Sequence, residues 1–287
     1  MKLFLRKMFL FFGLIFTILL VCAYAFFISF ELPRIKEDNI VIIGDSTGRN
    51  SVDTSIAKRY INFSQGGESY FYMYHKLKAL NDKQRIDTLL ISFGPNNMFD
   101  NDLLKKVGVK SRGRYIPIIS NREKILLLEN QPAIFLAEII KLGKDGLYNL
   151  YQGSKPIAFG SYLANEKRYE ENYHIPNTPP LFSEIELNYL LKIKEYCNEN
   201  GVKLILVNFP KYYLDRHYKN FHYNFDEMRN KYFEDVDYLD FSQLYEDKSN
   251  FSDMIHLSKK GSQEFSHFLN AYPLSYFLNS NFNKKTK

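Results

Sequence analysis

Three short apolar runs in the first hundred residues each break abruptly into glycine and small polar residues, and this pattern constrains the fold more than any other feature of the chain. Asn39 to Ile43 runs into Gly44-Asp45-Ser46, Tyr60 to Phe63 into Ser64-Gln65-Gly66-Gly67, and Thr88 to Phe93 into Gly94-Pro95-Asn96-Asn97. Runs this short, with little alternation between apolar and polar positions, read as strands buried on both faces, as in a parallel sheet. A helix-forming stretch from Ser69 to Leu80 separates the second from the third. Farther on come a helix over Ser183 to Glu199, strands over Val202 to Asn208 and Val236 to Asp240, and a helix from Ser258, its expected N-cap, to about Leu269. Strands alternating with helices predict an α/β chain with a parallel, doubly wound sheet. In such a sheet the polar clusters at the strand ends converge on one edge, where ligands of open α/β sheets bind.

The N-terminus is of another kind. Lys2, Arg6 and Lys7 precede Met8 to Phe30, 23 residues without a charge, which is long enough to span a bilayer as a helix. The basic residues would hold the N-terminus in the cytoplasm and place everything after Glu31 outside, periplasmic or at the cell surface. Two further readings send the domain the same way: cleavage behind Ala23-Tyr24-Ala25, and lipidation of Cys22, although Leu19-Leu20-Val21 before it makes a poor lipobox. The expected organisation is a cytoplasmic n-region and transmembrane signal anchor over 1–30, a linker over 31–38, one α/β domain over 39–278 and a polar tail over 279–287.

Composition narrows the function classes. A chain with 45% hydrophobic residues, 14 Gly and 10 Pro can bury a core, which excludes disordered, collagen-like and low-complexity classes. The net charge of +6 comes from 38 Lys and Arg against 32 Asp and Glu scattered along the chain, with no basic block beyond Lys284-Lys285-Thr286-Lys287, so no nucleic-acid partner is expected. Two cysteines, Cys22 and Cys197, make neither a disulfide framework nor a thiolate zinc site, and no metal or cofactor is expected. Residues from about 98 to 181 interrupt the strand-helix rhythm with one apolar helical run, Glu123 to Leu142, then a stretch rich in Tyr, Gly, Lys and Asn. This segment reads as an insertion. Because it follows the carboxyl end of the third strand, it would wall or cover the site.

The residues at the strand ends make a nucleophilic acyl-transfer site. Ser46 stands at a strand-to-helix turn, where backbone N–H groups and the helix dipole favour negative charge. Near the C-terminus, Asp253 and His256 stand three residues apart in the loop before Ser258, a spacing that lets both face one pocket. His256 would take the serine proton, and Asp253 would fix its tautomer and orientation. An oxyanion needs fixed donors, which the N–H of Ser46, the N–H of Gly67 and the side-chain amide of Asn96 would supply. Taken alone, each piece has a plainer reading: Ser46 as a helix cap, Asp253 and His256 as a capping pair, Asn96 as a turn residue. Asn208-Phe209-Pro210-Lys211 also closes a strand, where Lys211 or Tyr212 could touch substrate, although a loop turn is the favoured reading. His75, His174, His217, His222 and His267 show no ligand-like spacing and read as surface or partly buried.

The blocks Gly44-Asp45-Ser46, Asn62-Phe63-Ser64-Gln65-Gly66-Gly67, Gly94-Pro95-Asn96 and Asp253-Met254-Ile255-His256, in this order, resemble the SGNH (GDSL-like) hydrolases. That family is named for the Ser, Gly, Asn and His of these blocks. The resemblance covers Asn39 to Phe99 and Val202 to Leu269. It implies a flavodoxin-like three-layer sandwich with a parallel sheet, and a metal-free esterase or O-acyltransferase. It implies supporting roles for Asp45, Gly44, Gly66 and Asn97 and favours Gly67 over Gly66 as the backbone donor. Two positions depart from the family pattern: Asn97 stands where an Asp is usual, and Thr47 where a Leu is usual. By analogy with anchored proteins of this type, the expected substrate is an acyl ester, acetyl above all, of a cell-surface glycan or another small ester. A transferase would need a membrane acyl-donating protein as partner. The contrasting expectation is a non-catalytic scaffold or glycan-binding component that keeps the fold, and membrane proximity also suggests a lipase or thioesterase.

Overall fold

The computed structural model describes residues 2–29, 35, 40–98, 115–130, parts of 132–147, 183–212 and 219–279. The chain divides into two compact units, one of Met1–Pro33 with Lys110–Phe159, the other of Arg34–Val109 with Gly160–Lys287. The first contains the helices α1 (Lys2–Ser29) and α5 (Asn121–Asn130). Residues Lys2–Val21 of α1 are long and apolar enough to cross a membrane, and side chains such as Phe9 and Phe16 are exposed. A helix that is apolar all round belongs in a core or in a bilayer.

The second unit is built on five parallel strands: β1 (Ile40–Ile43), β2 (Tyr60–Asn62), β3 (Thr88–Ser92), β4 (Lys203–Asn208) and β5 (Asp237–Asp240). Their order is β2-β1-β3-β4-β5, the flavodoxin-like arrangement, whose direction reverses between β1 and β3. The register runs Ile40 opposite Thr88, Thr88 opposite Lys203 and Ile205 opposite Asp237. All the strands therefore end at one edge. Among the described residues of this unit, seven α-helices surround or extend the sheet: α2 (Ser46–Ser51), α3 (Tyr70–Lys83), α4 (Pro95–Met98), α6 (Glu184–Glu199), α7 (Lys219–Phe233), α8 (Lys259–Ala271) and α9 (Leu274–Asn279).

The central strands β1, β3 and β4 are largely apolar on both sides because both faces are covered. Side chains alternate along a strand, so Ile42, Leu90, Ile205 and Val207 enter one layer, with Phe241, Phe265, Leu269 and Phe277 packed against them. Val41, Ile43, Leu89, Ile91 and Leu206, all buried, point the other way. On that face α6 packs against α3 and β4, while Phe93, just past β3, meets Phe225 and Phe233 of α7 at ring distances of 4.7 and 5.7 Å. The three-layer sandwich with its parallel sheet is thus present.

Local signals place the helix starts as expected. Ser183 and Ser258 cap α6 and α8 with their hydroxyls, accepting from Glu186 N–H and Gly261 N–H. Helix α7 forms where no element is expected from the sequence, although Phe221, Phe225, Met228 and Tyr232 recur at helical spacing. His75 departs from its reading as surface or partly buried: it is buried on α3, with its ring 4.9 Å from that of Phe71. The expected insertion and tail lie largely outside the described residues, at 99–114, 148–182 and 280–287, as does the linker except Ile35.

Candidate active site

Asp45, the residue between β1 and α2, organises the first part of the site. Its Oδ1 caps α2, accepting from Thr47 N–H at 3.0 Å and Thr47 Oγ1 at 2.6 Å. Thr47 therefore supplies a hydroxyl donor where a Leu would supply none. The cap starts the helix at Ser46 and leaves that hydroxyl partly exposed at the strand edge. The turn is close-packed beneath: a Cβ on Gly44 would lie 1.8 Å from Ser92 Oγ and 2.6 Å from Ser92 Cβ. Only glycine lets β1 end this near β3.

The loop carrying Asp253 and His256 is pinched shut at its base. Phe251 pairs with Leu257 in an isolated antiparallel bridge, and Ser252 N–H donates to His256 O at 2.9 Å. Inside the loop Asp253 Oδ1 accepts from the backbone N–H groups of Ile255 and His256, both at 2.9 Å. His256 Nδ1 lies 2.7 Å from Asp253 Oδ2 and 3.0 Å from Oδ1. An ionised carboxylate only accepts, so Nδ1 carries a ring proton, and in the neutral imidazole Nε2 keeps its lone pair. That lone pair faces Ser46 Oγ at 2.7 Å, across a separation of 210 residues. Burial opposes ionisation of Asp253, but the bond and charge of His256 and the two backbone N–H groups outweigh it and hold the carboxyl below its ordinary range. Serine, imidazole and carboxylate thus form a continuous hydrogen-bonded series in which the hydroxyl can lose its proton to nitrogen.

Asn96 comes from α4, the turn after β3. Its Nδ2 donates to Asp45 Oδ2 at 3.2 Å, so one carboxylate both caps the serine helix and holds this amide. Asn97, the next residue, accepts Gly94 N–H on its Oδ1 at 3.1 Å. That task needs an acceptor oxygen and no charge, which an amide performs as a carboxylate would. Lys211, read from sequence as a loop residue, is buried and donates from Nζ to Asn96 Oδ1 at 2.6 Å. The signal for it was the strand end after Asn208; the contact itself spans 115 residues and has no local signature.

Gly66 borders the serine, and Gly67 follows it in the same loop. A Cβ on Gly66 would lie 3.9 Å from Ser46 Cβ and 3.7 Å from Arg49 Nη1, which puts this loop beside the serine. Gly67 has φ of 65°, the left-handed region that favours glycine. The loop is anchored from below, where Lys76 Nζ donates to Phe63 O and to Glu68 Oε2, both at 2.6 Å and buried. Asn62 Nδ2 donates to Gly48 O at 2.9 Å and ties the same strand to α2. Among the described residues no group of His, Cys, Asp and Glu is arranged to hold a metal ion.

One protein-family model matches residues 149–275, under half of the chain. No curated protein matches it by sequence. Solved structures that resemble it include one provisionally described as a platelet activating factor from Streptococcus pneumonia, at 13% identity and a TM-score of 0.43, covering 93% of this chain and 98% of that one. A lipolytic protein of the G-D-S-L family from Desulfitobacterium hafniense, also a provisional description, shows 11% identity and a TM-score of 0.42, over 82% of this chain and 99% of that one. An acylhydrolase of Bacteroides fragilis, provisionally so described, shows 11% identity and a TM-score of 0.40, over 90% and 92%. The fold assignment rests on the strand order and register given above.

Proposed function

We propose that this chain is a membrane-anchored serine esterase or O-acyltransferase of the SGNH type, with its α/β domain outside the cytoplasm. The observation that carries the reading is the hydrogen-bonded series from Ser46 Oγ through His256 to Asp253 at 2.7 Å per link, with Asn96 held at the adjoining strand end. The strand order supports it, since Ser46 follows β1 and Asn96 follows β3, the two sides of the reversal where ligands bind.

In the reaction, Ser46 Oγ attacks the ester carbonyl carbon while His256 Nε2 takes the hydroxyl proton, and the carbonyl π electrons move onto oxygen. The N–H of Ser46, the N–H of Gly67 and the Asn96 amide receive that oxyanion. Asp253 stabilises the imidazolium without taking its proton. Collapse breaks the bond to the leaving alkoxide, which takes the proton from His256 and leaves an acyl ester on Ser46. A water or a sugar hydroxyl, deprotonated by His256, then attacks the acyl group, and the serine regains its proton on release.

The anchor reading rests on α1 and on Lys2, Arg6 and Lys7 at its start. The choice of an acyl ester of a cell-surface glycan, with a membrane acyl-donating partner in the transferase case, rests on the sequence resemblance. The test is fluorophosphonate labelling and p-nitrophenyl acetate turnover of the full chain in detergent. Labelling lost in both Ser46→Ala and His256→Ala supports an activated serine, and an oligosaccharide that captures the acyl group in place of water supports transfer. A folded wild type that neither labels nor turns over, with or without membranes, refutes the catalytic reading and favours a scaffold.

A further inference from the structure

Lys211 is a buried cation that the serine chemistry leaves without a task. It follows β4, its backbone N–H donates to Ser242 O at 3.1 Å, and 5% of its surface is exposed. The ammonium occupies space that Gly94 leaves open: a Cβ on Gly94 would lie 2.5 Å from Lys211 Nζ, 2.7 Å from Asn208 Oδ1 and 3.2 Å from Asn96 Oδ1. Nζ donates to Asn96 Oδ1 at 2.6 Å, and Asn96 Nδ2 donates to Asp45 Oδ2 at 3.2 Å. Among the described residues, the charged groups facing it are Asp45 from the turn after β1 and Asp240 at the end of β5. Asn96 beyond β3 and Asn208 at the end of β4 are neutral.

An ammonium has three donors and no acceptor, and a carboxylate accepts only. A carboxamide between the two has one orientation, oxygen toward the lysine and nitrogen toward the aspartate. Of the two amide N–H bonds, Asp45 takes one and the other remains. Reversing the amide would set its N–H groups against the ammonium and its oxygen against the carboxylate, losing both bonds inside a low-dielectric site.

We infer that Lys211 is a positioning residue for the ester chemistry, fixing and polarising the Asn96 amide so that its remaining N–H is held for the oxyanion. This rests on the esterase reading above. The ammonium withdraws charge through the amide oxygen, which makes the N–H a stronger donor at the moment negative charge develops. Burial lowers the Lys211 pKa to about 8, with Asp45 and Asp240 opposing the shift, so the effect fades as the ammonium loses its proton in mildly alkaline solution.

The test is a double-mutant cycle on the full chain in detergent, with kcat and KM for p-nitrophenyl acetate. Lys211→Met is expected to lower kcat about 10- to 100-fold with KM little changed, less than the ~10²–10³ that losing an oxyanion donor costs. In an Asn96→Ala background the same substitution is expected to cost under about 3-fold, because the amide through which it acts is gone. Wild-type kcat is expected to fall above about pH 8, and the Lys211→Met profile to lack that fall. Gly94→Ala keeps the lysine but displaces its ammonium, and is expected to reproduce the kcat loss even if the methionine variant folds poorly. Equal losses in the presence and absence of Asn96, or wild-type kcat in Lys211→Met, overturn the inference while leaving Ser46-dependent turnover intact. A wild type without Ser46-dependent turnover overturns the esterase reading and this inference together.

Discussion

Gly261→Ala is a substitution outside the reacting groups that should reach them through the backbone. Gly261 lies in the first turn of α8, where a Cβ would meet Asn250 O at 2.0 Å, Asn250 C at 2.8 Å and Asn250 Cα at 3.0 Å. All three are main-chain atoms, so no side chain can swing aside. Reaching ordinary contact distance requires the segment at Asn250 to move by about 1.5 Å. Asn250 O also accepts Ser258 N–H at 2.9 Å, and the Phe251–Leu257 bridge begins at the next residue. The displacement therefore enters the base of the loop that holds Asp253 and His256. Overpacking of this kind costs about 1 to 3 kcal/mol. At about 2 to 4 °C per kcal/mol for a domain of this size, Tm should fall by about 2 to 12 °C. The His256 Nε2 to Ser46 Oγ distance is 2.7 Å, and a shift of about 1 Å takes it beyond hydrogen-bond reach, with a loss near 100-fold in rate. Thermal unfolding and the rate of fluorophosphonate labelling measure the two effects. Gly201→Ala is the control: its φ of 65° strains the backbone, but no atom lies within 4 Å of the new methyl. It should lose about 1 to 2 kcal/mol and keep the labelling rate. A Gly261→Ala protein that labels at the wild-type rate would refute the transmission argued from this contact.

Asp253→Asn should reduce kcat by about 10³- to 10⁴-fold with little change in fold, because an amide no longer selects the Nδ1–H tautomer; stopped-time turnover at neutral pH reads it. The folded pKa of Asp253 is lowered, so its contribution to stability is complete above the unfolded value near 3.9 and is lost as pH falls through the folded one. Acid unfolding should therefore be less pH-dependent in Asp253→Asn than in wild type, and equal slopes would contradict the assignment. Asn97→Asp keeps an oxygen for Gly94 N–H, so turnover should stay within about 3-fold, whereas Asn97→Leu leaves that buried donor unmatched and should cost about 1 to 3 kcal/mol in urea unfolding. Lys76→Met removes the ammonium that pairs with the Glu68 carboxylate, 1% exposed at its side chain, and should cost about 3 to 5 kcal/mol. Adding Glu68→Leu should restore most of that loss, and a double variant no better than the single would show that the charge is not the cause.

What the sequence determined by itself was local. An apolar run too short for a helix and too uniform for a half-exposed strand is a buried parallel strand, so β1, β3 and β4 were legible within a residue or two. Serines ahead of helix-forming stretches were legible as caps, because a hydroxyl at that position satisfies a backbone N–H that has no other partner. The candidates Ser46, Gly67, Asn96, Asp253 and His256 were legible from their places at strand ends and in the final loop, whereas supporting roles for Gly44, Asp45, Gly66 and Asn97 rested on the resemblance. Helix α7 was missed because its apolar positions are diluted by Asn, His and Lys, so propensity hid the spacing.

The tertiary structure decided which of these ends meet. Ser46 and His256 are brought together across 210 residues, and Lys211 and Asn96 across 115. Neither distance follows from any local pattern, since it depends on the order β2-β1-β3-β4-β5 and on the register that ends the strands at a common edge. The same holds for electrostatics. A lysine after a strand is an ordinary solvated cation until a sheet edge, a missing Cβ at Gly94 and two carboxylates enclose it. Burial and the sign of neighbouring charge are properties of the packed molecule, and they turn a residue that read as part of a loop into one that bonds the amide beside Ser46.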